Sequence, residues 1–93
     1  MNKIIVVVKM WFDSVNGNTY HRVKLFTNIN NFSNKTRINE ILESDVSYGY
    51  ETAYITTARY EYQKHIQQGI SRKDFVEMCE FEVINVNKKE LYK

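Results

Sequence analysis

The sequence predicts an α+β domain: an antiparallel sheet of three or more strands, packed on one main helix and one short helix. Three observations carry that prediction. Two β-rich runs flank Asn16-Gly17 and read as an N-terminal hairpin. Residues 51–68 repeat apolar side chains at helical spacing and are followed by Gly69. Period-two alternation then returns at residues 79–83, near the C-terminus. Such a sheet with helices on one face buries each apolar stripe once.

The hairpin comes first. Ile4-Ile5-Val6-Val7-Val8 is β-branched throughout, which stiffens the side chains and suits a pleated surface. Residues 19–26 alternate more clearly. Asn16-Gly17 fits a two-residue type I′ turn, whose central residues both need positive φ. That turn sets a register: Asp13 opposite Tyr20, Phe12 opposite His21, Trp11 opposite Arg22, Met10 opposite Val23 and Lys9 opposite Lys24. One face then holds Val6, Val8, Met10, Phe12, His21, Val23, Leu25 and Thr27, and is the core face. The other holds Ile5, Val7, Lys9, Trp11, Asp13, Tyr20, Arg22, Lys24 and Phe26.

The remaining elements follow in order. Asn28, Asn30, Asn31, Ser33 and Asn34 mark a loop. Beyond it, Thr36 either caps a short helix with Ile38, Ile41 and Leu42 inward, or opens a short strand. In the main helix, Tyr54, Ile55, Ala58, Tyr62, His65 and Ile66 form one stripe, and Glu61 pairs with His65 at i,i+4. Tyrosines and threonines in the same segment also alternate as a strand does, but its Gln/Lys-rich second half and the glycine stop favour helix. Ser71-Arg72-Lys73-Asp74 resembles a capping box and starts the short helix, with Phe75, Val76 and Met78 available for packing. Cys79, Phe81 and Val83 are the inward residues of the last strand. Ile84 and Val86 fall out of that phase, so a bulge or a change of burial is expected near Val83-Ile84. In the closing Lys88-Lys89-Glu90-Leu91-Tyr92-Lys93, Leu91 is the docking candidate.

Composition bounds the function. Ninety-three residues, 43% hydrophobic and 14% aromatic, suit a single packed domain over residues 1–93 and not a disordered tail. No apolar run is long enough to cross a membrane, and the N-terminus lacks a signal-peptide pattern. With Cys79 the only cysteine, no internal disulfide forms, so a reducing, cytoplasmic setting is expected. The glycosylation patterns at Asn31 and Asn34 are discounted for the same reason. Net charge is +2, but residues 1–37 hold six basic residues against Asp13 alone, and residues 38–93 hold seven basic against ten acidic. The hairpin is the positive end of the chain.

Few residues point to chemistry. Three scattered glycines build no phosphate loop, and His21, His65 and Cys79 lack metal-ligand spacing, so neither metal nor cofactor is expected. Asp13, Tyr20 and His21 cluster at the turn end and suggest acid–base work, but the register places His21 on the opposite face from the other two. The second hairpin face offers more. Lys9, Trp11, Tyr20, Arg22 and Lys24 interleave cations with rings, as a surface for single-stranded nucleic acid or another anion does. The solvent face of an ordinary antiparallel sheet also carries lysines. Tyr48, Tyr50 and Tyr60 suit a protein interface, including that of a homodimer.

Three segments carry a family resemblance: Trp11-Phe12-Asp13-Ser14-Val15-Asn16-Gly17-Asn18-Thr19-Tyr20-His21, Tyr48-Gly49-Tyr50 and Val86-Asn87-Lys88-Lys89-Glu90-Leu91. Together they resemble small accessory proteins of phages and mobile elements. The resemblance implies a non-enzymatic binding protein that inhibits a host defence system, CRISPR systems included, through contact with a host protein or nucleic acid. It brings no catalytic residues.

Overall fold

The computed structural model describes residues 4–31 and 36–93. Its elements run β1 (Ile4–Asp13), β2 (Asn18–Asn31), β3 (Thr36–Glu43), β4 (Ser47–Gly49), α1 (Ala53–His65), α2 (Arg72–Met78), β5 (Cys79–Asn85) and α3 (Lys88–Leu91). The class is α+β, and the sheet is mixed. Its order is β3-β2-β1-β5, with β4 pairing the other end of β2. β5 lies parallel to β1, while the remaining pairs are antiparallel. The parallel pairing follows from connectivity: the chain crosses one face through α1 and α2 before β5 returns beside β1.

The hairpin forms with a longer loop than the sequence suggests. Asp13 pairs with Asn18, leaving residues 14–17 as a four-residue connection. Gly17 has φ +72°, and its amide donates to the Asp13 carbonyl at 2.7 Å. The Asp13 carboxylate accepts from the amides of Val15 at 3.0 Å and Asn16 at 3.3 Å, and from the Asn16 side chain at 2.8 Å. These bonds stabilise a wider loop that needs a left-handed residue at glycine. The register therefore slides by two residues. Lys9 faces Arg22 instead of Lys24, Trp11 faces Tyr20 instead of Arg22, and Phe12 faces Thr19 instead of His21. An even slip leaves every side chain on its expected face.

The core lies between the sheet and α1 and α2. Ile4, Val6, Val8, Val23 and Leu25 are buried there with Ala58, Tyr62, Ile70 and Phe75. Met10, Tyr54, Ile66 and Phe81 pack around them, and Tyr62 meets Phe75 with ring centroids 5.5 Å apart. Phe12 is on the same sheet face yet 61% exposed, because it lies at the turn end beyond the packed cluster. Val83, expected inside, is exposed on the edge strand β5, as is Ile84. β5 keeps an unbroken register with β1, so burial changes there without a bulge.

The region after the hairpin is a strand. β2 continues through Asn28, Asn30 and Asn31, where a loop was expected, and β3 pairs with it from Thr36 onward in place of a helix. Ser33 and Asn34 lie outside the described residues. Leu42 is buried and Ile41 exposed, the alternation of a half-covered strand. α1 is shorter than expected at both ends, and Gly69 (φ +78°) follows it by four residues. Ser71 caps α2 as its spacing suggests, accepting from the Asp74 amide at 3.1 Å. α3 was not expected. Asn87 caps it by accepting from the Glu90 amide at 2.9 Å, and Leu91 is fully buried.

Candidate nucleic-acid interface

The sheet face away from α1 is built by register. Reading across β1, β2 and their neighbours, three rows matter. Trp11, Tyr20 and Tyr48 are consecutive partners. Two residues along the strands lie Lys9 and Arg22, and two further Val7, Lys24 and Glu43. Neighbours paired across strands share a face, so rings and cations occupy adjacent rows.

The rings form a continuous series. Trp11 and Tyr20 stack with centroids 5.4 Å apart and planes 26° from parallel. Tyr20 and Tyr48 follow at 5.8 Å with a 52° tilt. Tyr48 is 69% exposed, so the series opens to solvent at β4. The cation over Trp11 is not Arg22, as the shorter turn implies, but Lys88 of α3, whose Nζ lies 5.8 Å from the ring centroid.

Beside the rings is a small basic cavity of about 140 Å3, lined by Lys9, Arg22, Lys24 and Lys93 against Glu43. Lys9 and Arg22 are like charges directly opposed, an arrangement that costs energy unless neighbours offset it. α3, β3 and the residues that follow each of them supply the offset. Lys9 Nζ donates to the Glu90 carbonyl at 3.4 Å. Arg22 donates to the Lys93 carbonyl at 3.2 Å and to the Ser44 carbonyl at 3.2 Å, and pairs with Glu43 at 2.9 Å. Arg22 is thus a donor with three partners, and Lys24 is exposed with its Nζ 5.7 Å from the Phe26 ring centre.

The other expected residues separate. Tyr48 joins the ring series, whereas Tyr60 projects from α1 in the opposite layer and Tyr50 follows β4; both are exposed. Asp13, Tyr20 and His21 do not converge. Asp13 holds the loop, and its hydrogen bonds, chiefly with the Asn16 side chain, keep its carboxyl below the usual range. Tyr20 is in the ring series. His21 faces α1, with Nε2 2.6 Å from Thr57 Oγ1, and burial lowers its pKa. His65 is exposed, 3.8 Å from Glu61. Burial pushes the Cys79 thiol up to about 12, far from the range of a nucleophilic thiolate. Among the described residues there is no cluster of metal-ligating side chains, and no helix is long and apolar enough to cross a membrane.

Lys88, Glu43 and the whole of α3 were missed from the sequence. A signal existed: Asn87-Lys88-Lys89-Glu90 has the spacing of an N-cap with an acidic third residue. No protein-family model, curated protein or solved structure matches the chain.

Proposed function

We propose that the protein is a non-enzymatic binding protein for single-stranded nucleic acid. The observation that supports this most is the Trp11–Tyr20–Tyr48 series lying one row from a cavity with four cations and one carboxylate. Stacked rings accept bases of any sequence, and adjacent cations accept the phosphates that link them. In this reading Tyr48 and Trp11 take bases, Lys24 and Lys88 are the phosphate contacts, and Lys9 and Arg22 set the local potential. The resemblance of residues 11–21, Tyr48-Gly49-Tyr50 and residues 86–91 to small accessory proteins of phages and mobile elements suggests a purpose, interference with a host defence system that handles nucleic acid. Fluorescence anisotropy of a labelled oligothymidine tests it. Affinity should fall steeply with salt, and Tyr48→Ala and Lys24→Glu should each weaken it at least severalfold. Salt-insensitive binding, or none, removes the reading.

A second reading has its own observation. On the same face Ile5, Phe26 and Ile41 are direct partners across β1, β2 and β3, and they are 42%, 38% and 61% exposed. An apolar row of that kind suits a second copy of the chain. Sedimentation velocity decides: a concentration-dependent dimer lost in Phe26→Asp supports it, and a monomer throughout excludes it.

A further inference from the structure

A second recess lies in the opposite layer. It occupies about 480 Å3 between residues 44–47 and α1, a volume in the range of small-ligand sites. Its walls are polar. Ser44, Asp45 and Ser47 face Thr57, Tyr60, Glu61 and Lys64 across it. One of its serines is already committed: Ser44 Oγ accepts from the Val23 amide at 3.0 Å and donates to the Asp45 carbonyl at 2.9 Å. These bonds tie the chain to β2 where β3 ends, at the edge of the recess.

Glu61 is the unusual wall residue. Its side chain is only 11% exposed, and among the described residues Lys64 Nζ and His65 Nε2 each stand 3.8 Å from its carboxylate. Lys64 Nζ also lies 5.4 Å from the centre of the Tyr60 ring. One ammonium group is thus close to both a carboxylate and a ring, the combination that holds organic cations. The Lys64 side chain is 50% exposed and rides on a flexible stem, so it can leave. Asp45 on the facing wall supplies a second carboxylate, and both carboxylates only accept hydrogen bonds.

We propose that this cleft binds an organic monocation, an alkylammonium or guanidinium group, and that Lys64 occupies the position in its absence. The cation lies against the Tyr60 ring and donates to Glu61 and Asp45, while Ser47 and Thr57 hydroxyls serve the rest of the ligand. The site is independent of the ring series on the other sheet face. Amide NMR of the intact chain, titrated with n-butylamine and separately with an arginine-containing tripeptide, tests it. Sodium chloride at matched ionic strength and n-butanol serve as controls. Saturable shifts confined to residues 44–47 and 56–64 are expected from the cations alone. The tighter of the two probes shows whether a small amine or a basic peptide is the better source. Lys64→Ala should tighten binding about threefold, the worth of a half-exposed ion pair. Glu61→Gln should abolish it, and Tyr60→Leu, at an exposed position, should weaken it without risk to folding. Shifts reproduced by salt or butanol, or a Lys64→Ala variant that binds no better than the parent, overturn the proposal.

Discussion

At His21, a single ring links the sheet to the helix layer, and its chemistry has a measurable consequence. The side chain is 2% exposed as a residue, hydrogen-bonded to Thr57, and burial lowers its pKa below 6.5. In the unfolded chain the same ring protonates near the ordinary value of about 6.5. Between the two values the unfolded state binds more protons, so stability rises with pH across that window and is lost as pH falls below about 6.5. Urea melts at pH 7.5 and pH 5.5 should show this loss, and His21→Gln should flatten the difference. Cys79 gives a second residue-level outcome. Its thiol, pushed up to about 12, should resist alkylation at neutral pH in the folded chain and react fast once urea unfolds it. Rapid modification under native conditions would contradict the packing of β5 against β1.

Elements show why some of this was legible from the chain and some was not. Face assignment survived a wrong turn because the pleat repeats every two residues and the slip was even. The apolar sets of β1 and β2 therefore identified the core face, while partners such as Trp11–Tyr20 depended on loop chemistry centred on Asp13 that Asn16-Gly17 alone did not reveal. Thr36–Glu43 was ambiguous because eight residues with scattered isoleucines suit either period, and pairing with β2 decided it. Of the candidate interface, Lys9, Trp11, Tyr20, Arg22 and Lys24 share a face as expected. What the periodicity could not show is that a distant four-residue helix brings Lys88 to Trp11 and carbonyls to Lys9 and Arg22. Leu91 anchors that helix with a fully buried side chain. Leu91→Ala should cost about 2–5 kcal/mol, by lost transfer and a cavity. It should also detach Lys88 from the indole, visible as a shift in Trp11 emission before global unfolding; an unchanged spectrum and melt would show that α3 does not organise the face.

At the scale of the whole molecule, the two faces of one sheet differ in what covers them. α1 and α2 close one face over a core of branched aliphatics, with the polar recess at its border. The other is covered only locally, by α3, and presents rings, cations and the Ile5–Phe26–Ile41 row. The larger core lies on the first face, while on the second Leu91 of α3 is fully buried. Of the basic residues in 1–37, Lys9, Arg22 and Lys24 lie on this face, and α3 adds Lys88 from the acidic remainder of the chain. Because Trp11 is the sole tryptophan and begins the ring series, its fluorescence reports directly on whether bases stack there. The decisive measurement is a titration of the intact chain with an oligothymidine of about twelve nucleotides, a length within the reach of stacking sites of this type. Saturable quenching of Trp11 that weakens with added salt and with Tyr48→Ala is the predicted result; emission that stays constant to millimolar oligonucleotide at low salt would contradict it.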